Sequence, residues 1–310
     1  MSDVAAPPLS DLNISLPKAR PLFGIMLRLA AMAVLGVMFA LVKLAGEHGV
    51  HLVESLFWRQ LAGLPVVVLW LWSLGKLRDI HTRNPLAHAL RGILGLLSMS
   101  LNFTAMMLLP MAEATTISFA TPVFATMLAA LLLGEPTGKY RWGAIALGFI
   151  GVLLAVQPSS VSGHGVGPWV ALAGALLTSC VFIQIRRMSQ SENAGAIVFW
   201  FSLSTLVPLG IGMVFFAQDH DAVGWSLIAS LALCGAVAQL LLTSAMRHGS
   251  VAAIATMDYS SLIWSVLFGY LIFNDEPGPG TWFGAPVIII AGLVIMWREH
   301  KIATVKVSNA

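Results

Sequence analysis

The chain is 310 residues long, 58% hydrophobic and only 10% charged, with a mean hydropathy of +0.86 and 17 Lys and Arg against 14 Asp and Glu. A water-soluble domain carries about 25% charged residues, so a soluble globular fold is excluded. The basic balance does not indicate nucleic acid, because the cations sit in short segments between apolar runs, where they report membrane topology.

The first 20 or so residues hold prolines and mixed charges but no continuous apolar stretch. They are expected to form a loose cytoplasmic tail (1–21) rather than a signal peptide. Apolar runs then fall at about Leu22 to Leu44, Leu52 to Leu74, Pro85 to Leu108, Met111 to Leu133, Tyr140 to Val156, Trp169 to Met188, Ala194 to Phe216, Trp225 to Met246, Val251 to Phe273 and Trp282 to Trp297. In the bilayer core only internally bonded helices satisfy the backbone, so each run of this length is read as a transmembrane helix. The breaks at Pro110 and at His248 to Ser250 are only a few residues long and are expected to be tight helical hairpins. The fold class is therefore an all-α integral membrane protein of ten spans, with a second tail at 299–310. Cys180 and Cys234 lie inside apolar runs, which points to packing rather than a disulfide.

Fifteen of the 17 Lys and Arg cluster at one set of span ends, Arg28, Arg91 and Arg186 among them, while Lys43 and Arg59 fall within spans. Positive residues are retained on the cytoplasmic side, so both termini are expected there. The loops leave no room for a soluble catalytic domain, and no GxxxxGK[ST] phosphate loop is present.

The second half repeats the first. Ala105 to Leu133 overlays Ala245 to Phe273 at a shift of 140, and after one extra residue Glu135-Pro136, Gly143 and Gly151 overlay Glu276-Pro277, Gly284 and Gly292. Phe57-Trp58 overlays Phe199-Trp200. Five spans per half is an odd number, so the halves cross in opposite senses. Such inverted repeats place a substrate site near the midplane between them. Repeats are expected at 22–157 and 168–298.

Phe57-Trp58-Arg59 with Ala62, the run Ala112-Glu113-Ala114-Thr115-Thr116 leading to Pro122, Leu133-Gly134-Glu135-Pro136, Trp142-Gly143 and Gly148-Phe149-Ile150-Gly151-Val152 stand in that order. With these features the chain resembles the ten-helix, EamA-type members of the drug/metabolite transporter superfamily. The resemblance implies a multi-pass carrier of the bacterial inner membrane, often an exporter of amino acids or related metabolites. Its cavity would be lined by the first four helices of each half, with spans five and ten at the periphery. Arg91-Gly92 followed by Leu94-Gly95-Leu96-Leu97 is more similar to the branch of S-adenosylmethionine carriers than to the aromatic amino acid exporters.

An ionisable group within a span costs at least about 2.5 to 3.5 kcal/mol on insertion scales and needs a partner or a wet cavity. Arg59 either meets an anionic group of the substrate or forms a structural ion pair with Glu113 or Glu54. Span four presents Thr115, Ser118 and Pro122 on one face, with a proline that frees a carbonyl. Its repeat mate carries Thr256, Asp258, Ser260 and Ser261, with Asp258 directly over Ser118. Asp258 is read either as a coupling or substrate-orienting acid or as a group that bonds a neighbouring helix; Glu113 is a second coupling candidate. Hydroxyls in spans serve as interhelical glue as well as ligands. Asn102, Gln184 and Gln239 are open between cavity and interhelical bonding. Trp58, Trp200 and Trp264 lie deep enough to stack on a planar solute or to pack. Trp142, Trp169, Trp225, Trp282 and Trp297 fit an interfacial belt.

The expected function is secondary transport of a small polar or amphipathic metabolite, with export and proton coupling as the finer expectation. Uptake of a nucleoside-like or sulfonium metabolite is the alternative, and an intramembrane enzyme or scaffold is the reading from another class. No catalytic set, cofactor or metal site is expected. The expected partners are a small-molecule substrate and membrane lipid, not nucleic acid, with a homodimer left open.

Overall fold

The computed structural model describes residues 21–82, 84–132, 139–156, 165–248 and 257–308. Every regular element among them is helical: α1 (Pro21–Glu47), α2 (Leu52–Ser73), a 3-10 turn (Leu77–Ile80), α3 (Pro85–Leu108), α4 (Met111–Ser118), α5 (Thr121–Leu132), α6 (Lys139–Val156), α7 (Gly167–Met188), α8 (Ala194–Phe216), α9 (Ala222–His248), a second 3-10 turn (Met257–Ser260), α10 (Ser261–Phe273) and α11 (Pro279–Ser308). Eight stretches are long and apolar enough to cross a membrane, α4 and α5 counting together as Met111–Leu132. The shorter apolar stretches Trp142–Ala155 and Met257–Phe273 complete ten.

Local chemistry sets the ends. Asn84 caps α3 by accepting from the Ala87 amide at 3.2 Å, and Pro85 follows at the first helical position, where no amide is missed. His51 and Glu54 form a capping box at the start of α2. Span four is not one helix bent at Pro122. It breaks at Phe119-Ala120, and Pro122 falls in the first turn of α5, where its lost donor has no partner to miss. Helix α11 runs on to Ser308, through most of the expected tail, because no Gly or Pro interrupts its hydrogen-bond ladder there. The breaks expected at Gly249-Ser250 and at Glu135-Pro136 lie outside the described residues.

The two sets of spans interlock. Helix α1 packs on α9 and α7 on α3; α2 packs on α9 and α8 on α3; α1 meets α10, and α7 meets α4 and α5. Helix α2 meets α8, and α6 meets α11. Exchanging α1–α6 with α7–α11 maps this set onto itself, as a two-fold relation between inverted halves requires. The largest buried cluster mixes both halves, including Ile117, Phe119 and Phe124 with Ala171, Ala175 and Ile288. Between α6 and α11, a Cβ on Gly284 would stand 2.7 Å from the Ala155 amide nitrogen and one on Gly151 would stand 2.9 Å from that of Ile288. These glycines let the two backbones touch. Large apolar side chains such as Val214, Phe215 and Leu271 face outward, as lipid contact requires.

Candidate substrate pathway

An even number of spans puts the start of α1 and the end of α11 on one face of the bundle, here called the terminal face. A cavity of about 660 Å³ lies between the halves and reaches from Arg59 and Asn102 toward that face, where Arg186, Ile295 and Met296 line it. At the opposite end Met38, Val42, Leu56, Phe103 and Leu209 pack without exposure beyond a few per cent.

The cavity forms where both repeats interrupt a helix. The α4–α5 break and the Met257–Ser260 turn occupy overlaid positions in the two halves. Phe119 and Tyr259 at these breaks pack edge-on with ring centroids 5.1 Å apart, and Ser118 and Asp258 beside them both line the cavity. Interrupted helices at the interface of inverted repeats expose backbone and polar groups only where protein or water can meet them.

Arg59 projects from α2 into the inner end of the cavity. Its Nη1 donates to Gln60 Oε1 at 3.0 Å and approaches Met99 Sδ at 3.5 Å, its guanidinium stands 5.9 Å from the Phe103 ring, and its Nε has no partner. The expected ion pair with Glu54 does not form. Glu54 is committed elsewhere: it accepts from His51 N at 2.9 Å and Gln218 N at 3.2 Å and lies 2.9 Å from His220 Nε2. It closes the α2 cap and ties it to the α8–α9 loop. Nor does Glu113 pair with Arg59; it sits in the first turn of α4 at the opposite face and lines none of the described cavities. Among the described residues the Arg59 charge therefore has no carboxylate partner.

Asp258 has one. Arg28 of α1 grips it with two hydrogen bonds, Nε to Oδ1 at 2.5 Å and Nη2 to Oδ2 at 2.7 Å. Asp258 remains 40% exposed and faces the cavity. The other end of α1 is held the same way, with Lys43 Nζ 2.6 Å from Asp275 Oδ2. Asn274 adopts a left-handed conformation (φ 53°) at the end of α10, and the Asp275 amide bonds back to Gly269 O at 3.0 Å, which turns Asp275 toward Lys43.

Of the other expected residues, Pro122 and Asn102 line the main cavity; Asn102 donates to Ser98 O at 2.7 Å and to Thr178 Oγ1 at 3.2 Å. Thr115 and Ser261 line an adjoining pocket of about 280 Å³, where Thr115 bonds Ser265 at 2.7 Å and Ser261 donates to Asp258 O at 2.7 Å. Gln239 lines a side chamber of about 240 Å³. Two residues take the packing side of the alternatives left open for them. Gln184 reaches Ala87 O at 3.5 Å and joins helices outside both cavities. Trp264 stacks on Phe268 at 6.0 Å, with its Cβ against Gly36, so its ring packs rather than faces solute. Trp58 and Trp200 also lie off the main cavity, Trp58 edge-on to Trp225 and Trp200 bonded to Ile80 O at 2.8 Å. Helix α11 is less peripheral than the resemblance implies, since Gly292, Ile295 and Met296 line the cavity.

Arg28, Arg91, Ser98, Thr178 and Tyr259 were not legible as pathway residues. The first two read as topology signals because they sit near span ends of the correct sign. Arg91 is in fact only 9% exposed. Its one clue is Gly95, one turn on, which leaves room for its guanidinium.

The EamA-like transporter family matches residues 22–157 and 165–297. The chain is 26% identical to the pseudopaline exporter of Pseudomonas aeruginosa, over 88% of this chain and 95% of that protein. It is 31% identical to the riboflavin transporter of Rhizobium johnstonii, over 73% and 74% of the two chains. It is 28% identical to the S-adenosylmethionine uptake transporter of Rickettsia prowazekii, over 79% and 81%. A crystal structure whose description names no activity matches with a TM-score of 0.57 at 18% identity, over 88% of this chain and 96% of that one, a likeness of fold alone.

Proposed function

The chain belongs to the EamA-like transporter family, and from that premise we propose that it is a secondary carrier exporting a small polar or amphipathic metabolite, an amino acid or related compound. The observation that carries this reading is Arg59. A guanidinium with no carboxylate partner at the inner end of a cavity between inverted halves is a receptor for an anionic group of the solute. Asn102, Thr178 and Ser118 supply further polar contacts along a wall otherwise made of Phe39, Phe103 and Phe119.

The reading includes proton coupling at Asp258. A proton taken by Asp258 releases Arg28, and the contact between α1 and the Met257–Ser260 turn is then free to change as the halves rock. The membrane is the bacterial inner membrane, with both termini cytoplasmic; reporter fusions after Ala310 and near Asp219 should report opposite sides.

Export draws on the likeness to a protein named as an exporter along most of its length. Uptake of a nucleoside-like or sulfonium metabolite is supported by the likeness to the uptake transporter and by the aromatic wall. Comparing metabolites in cells and medium, with the protein absent and overproduced, separates the two. Export predicts a solute that accumulates inside without the protein and outside on overproduction; uptake predicts the reverse. An unchanged profile under both conditions would sink the carrier reading.

A further inference from the structure

The side chamber of about 240 Å³ shares Arg59, Ser98 and Met99 with the main cavity, and its far wall carries a second cation, Arg91 of α3. The Arg91 guanidinium carbon lies over the Phe201 ring, 4.1 Å from its centroid. Its Nε and Nη1 are buried without a partner. No carboxylate is among the described residues that line the chamber, whose other polar groups are Gln60, Ser98, Ser202 and Gln239. Glycines make room for both cations: a Cβ on Gly235 would meet Arg59 Cγ at 3.0 Å, and one on Gly95 would collide with Arg91 Nη1 and the Phe201 ring.

Two buried guanidiniums facing one small space without a counter-charge are costly unless something anionic enters it. Arg59 lies about 10 Å from one end of α2 and Arg91 about 9 Å from the opposite end of its antiparallel neighbour α3, which sets their Cα atoms about 13 Å apart in depth. With their Cα atoms set that far apart in depth, each arginine can meet an anionic group of its own at the chamber wall, which two anionic groups joined by a short spacer would satisfy.

We propose that the side chamber is an anion subsite and that the transported solute carries two anionic groups, one met by Arg59 and the other by Arg91. The proposal rests on the reading of Arg59 as the receptor of a solute anion. Phe201 braces the Arg91 guanidinium before solute arrives. Gln60, whose Nε2 donates to Thr205 Oγ1 at 2.7 Å, holds Arg59 at the chamber's edge through its Oε1.

The test uses the purified full chain in detergent, with glutarate and adipate as probes against their monoamides, glutaramate and adipamate, and affinity read from thermal stabilisation. At least one dicarboxylate should bind about tenfold more tightly than its monoamide, the increment of one charge-assisted pair. Arg91→Gln should remove that preference and leave monoamide affinity within about twofold of the parent. Arg91→Lys, which keeps the charge should Arg91→Gln fold poorly, should retain a preference for the dicarboxylate. Equal binding of dicarboxylate and monoamide by the parent, or a preference that survives Arg91→Gln, would overturn the subsite while leaving Arg59 as an anion receptor. Absence of binding by all four probes would count against both.

Discussion

Arg59 and Phe201 occupy matching places in the two halves, each one residue beyond an aligned Phe-Trp pair and each set against a glycine of the other half's third span: Arg59 against Gly235, Phe201 against Gly95. The scaffold treats the two positions alike; the chemistry does not. One half presents a charge to the cavity, and the other presents a ring that braces a second charge, Arg91. A similar asymmetry separates the ends of spans four and nine. Where the first half has Gly134 alone between Leu133 and Glu135, the second has Asn274-Asp275 between Phe273 and Glu276, and Lys43 holds Asp275. Symmetric packing therefore builds the bundle, while departures from the repeat supply the charged groups that could recognise solute and lock one end.

The largest expected effect comes from erasing the first asymmetry. Arg59→Phe, which copies the second half, and Arg59→Ala should both reduce transport of the metabolite found by profiling to the level of empty proteoliposomes. Because no carboxylate among the described residues pairs with Arg59, folded yield should stay near that of the parent, and Glu113→Gln should have the same effect on yield in the Arg59→Ala background as in the parent. Parental transport by Arg59→Ala would remove the receptor role.

Next in size is Asp258→Asn, which keeps the shape but removes titration. Exchange of solute across reconstituted vesicles should persist while pH-driven accumulation falls to the passive level. If Asp258→Asn accumulates solute as the parent does, Asp258 and Arg28 are a structural clamp only.

Where the halves are alike, a substitution should affect stability rather than transport selectivity. Gly284→Leu forces a side chain onto the Ala155 backbone and should destabilise the α6–α11 contact by about 1–3 kcal/mol, read as a lowered Tm in detergent. Gly143→Ala, which meets nothing within 4 Å, is the control and should not lower Tm. A smaller effect on solute handling is expected of Lys43→Met, which removes a largely buried pair far from the cavity and leaves Asp275 without its cation. It should loosen the end opposite the terminal face, seen as faster thiol labelling of a cysteine placed at Leu109, with solute affinity little changed.

Much of the bundle was legible without coordinates. The bilayer admits few backbone solutions, so runs such as Leu52 to Leu74 declare themselves as spans by composition alone. Pro110 and the Ser118 to Pro122 region marked real interruptions, although the break fell at Phe119-Ala120 because proline is accommodated in a first turn. Arg59 stood out as an ionisable residue within a span, and Asp258 through its overlay on Ser118.

The sequence by itself determined the class, the number and order of spans and the repeat, because each of these depends on local composition and spacing. Tertiary structure alone decided which charges meet. Arg28 finds Asp258 and Lys43 finds Asp275 across more than two hundred residues of chain, Glu54 turns to His220 instead of Arg59, and Arg91, read as an end signal, folds inward onto Phe201. Trp264 and Gln184, both within spans, face neighbouring helices instead of the main cavity. Depth follows from counting residues along one helix; facing follows from the rotation of helices contributed by opposite halves, and a hydropathy pattern carries no record of that rotation.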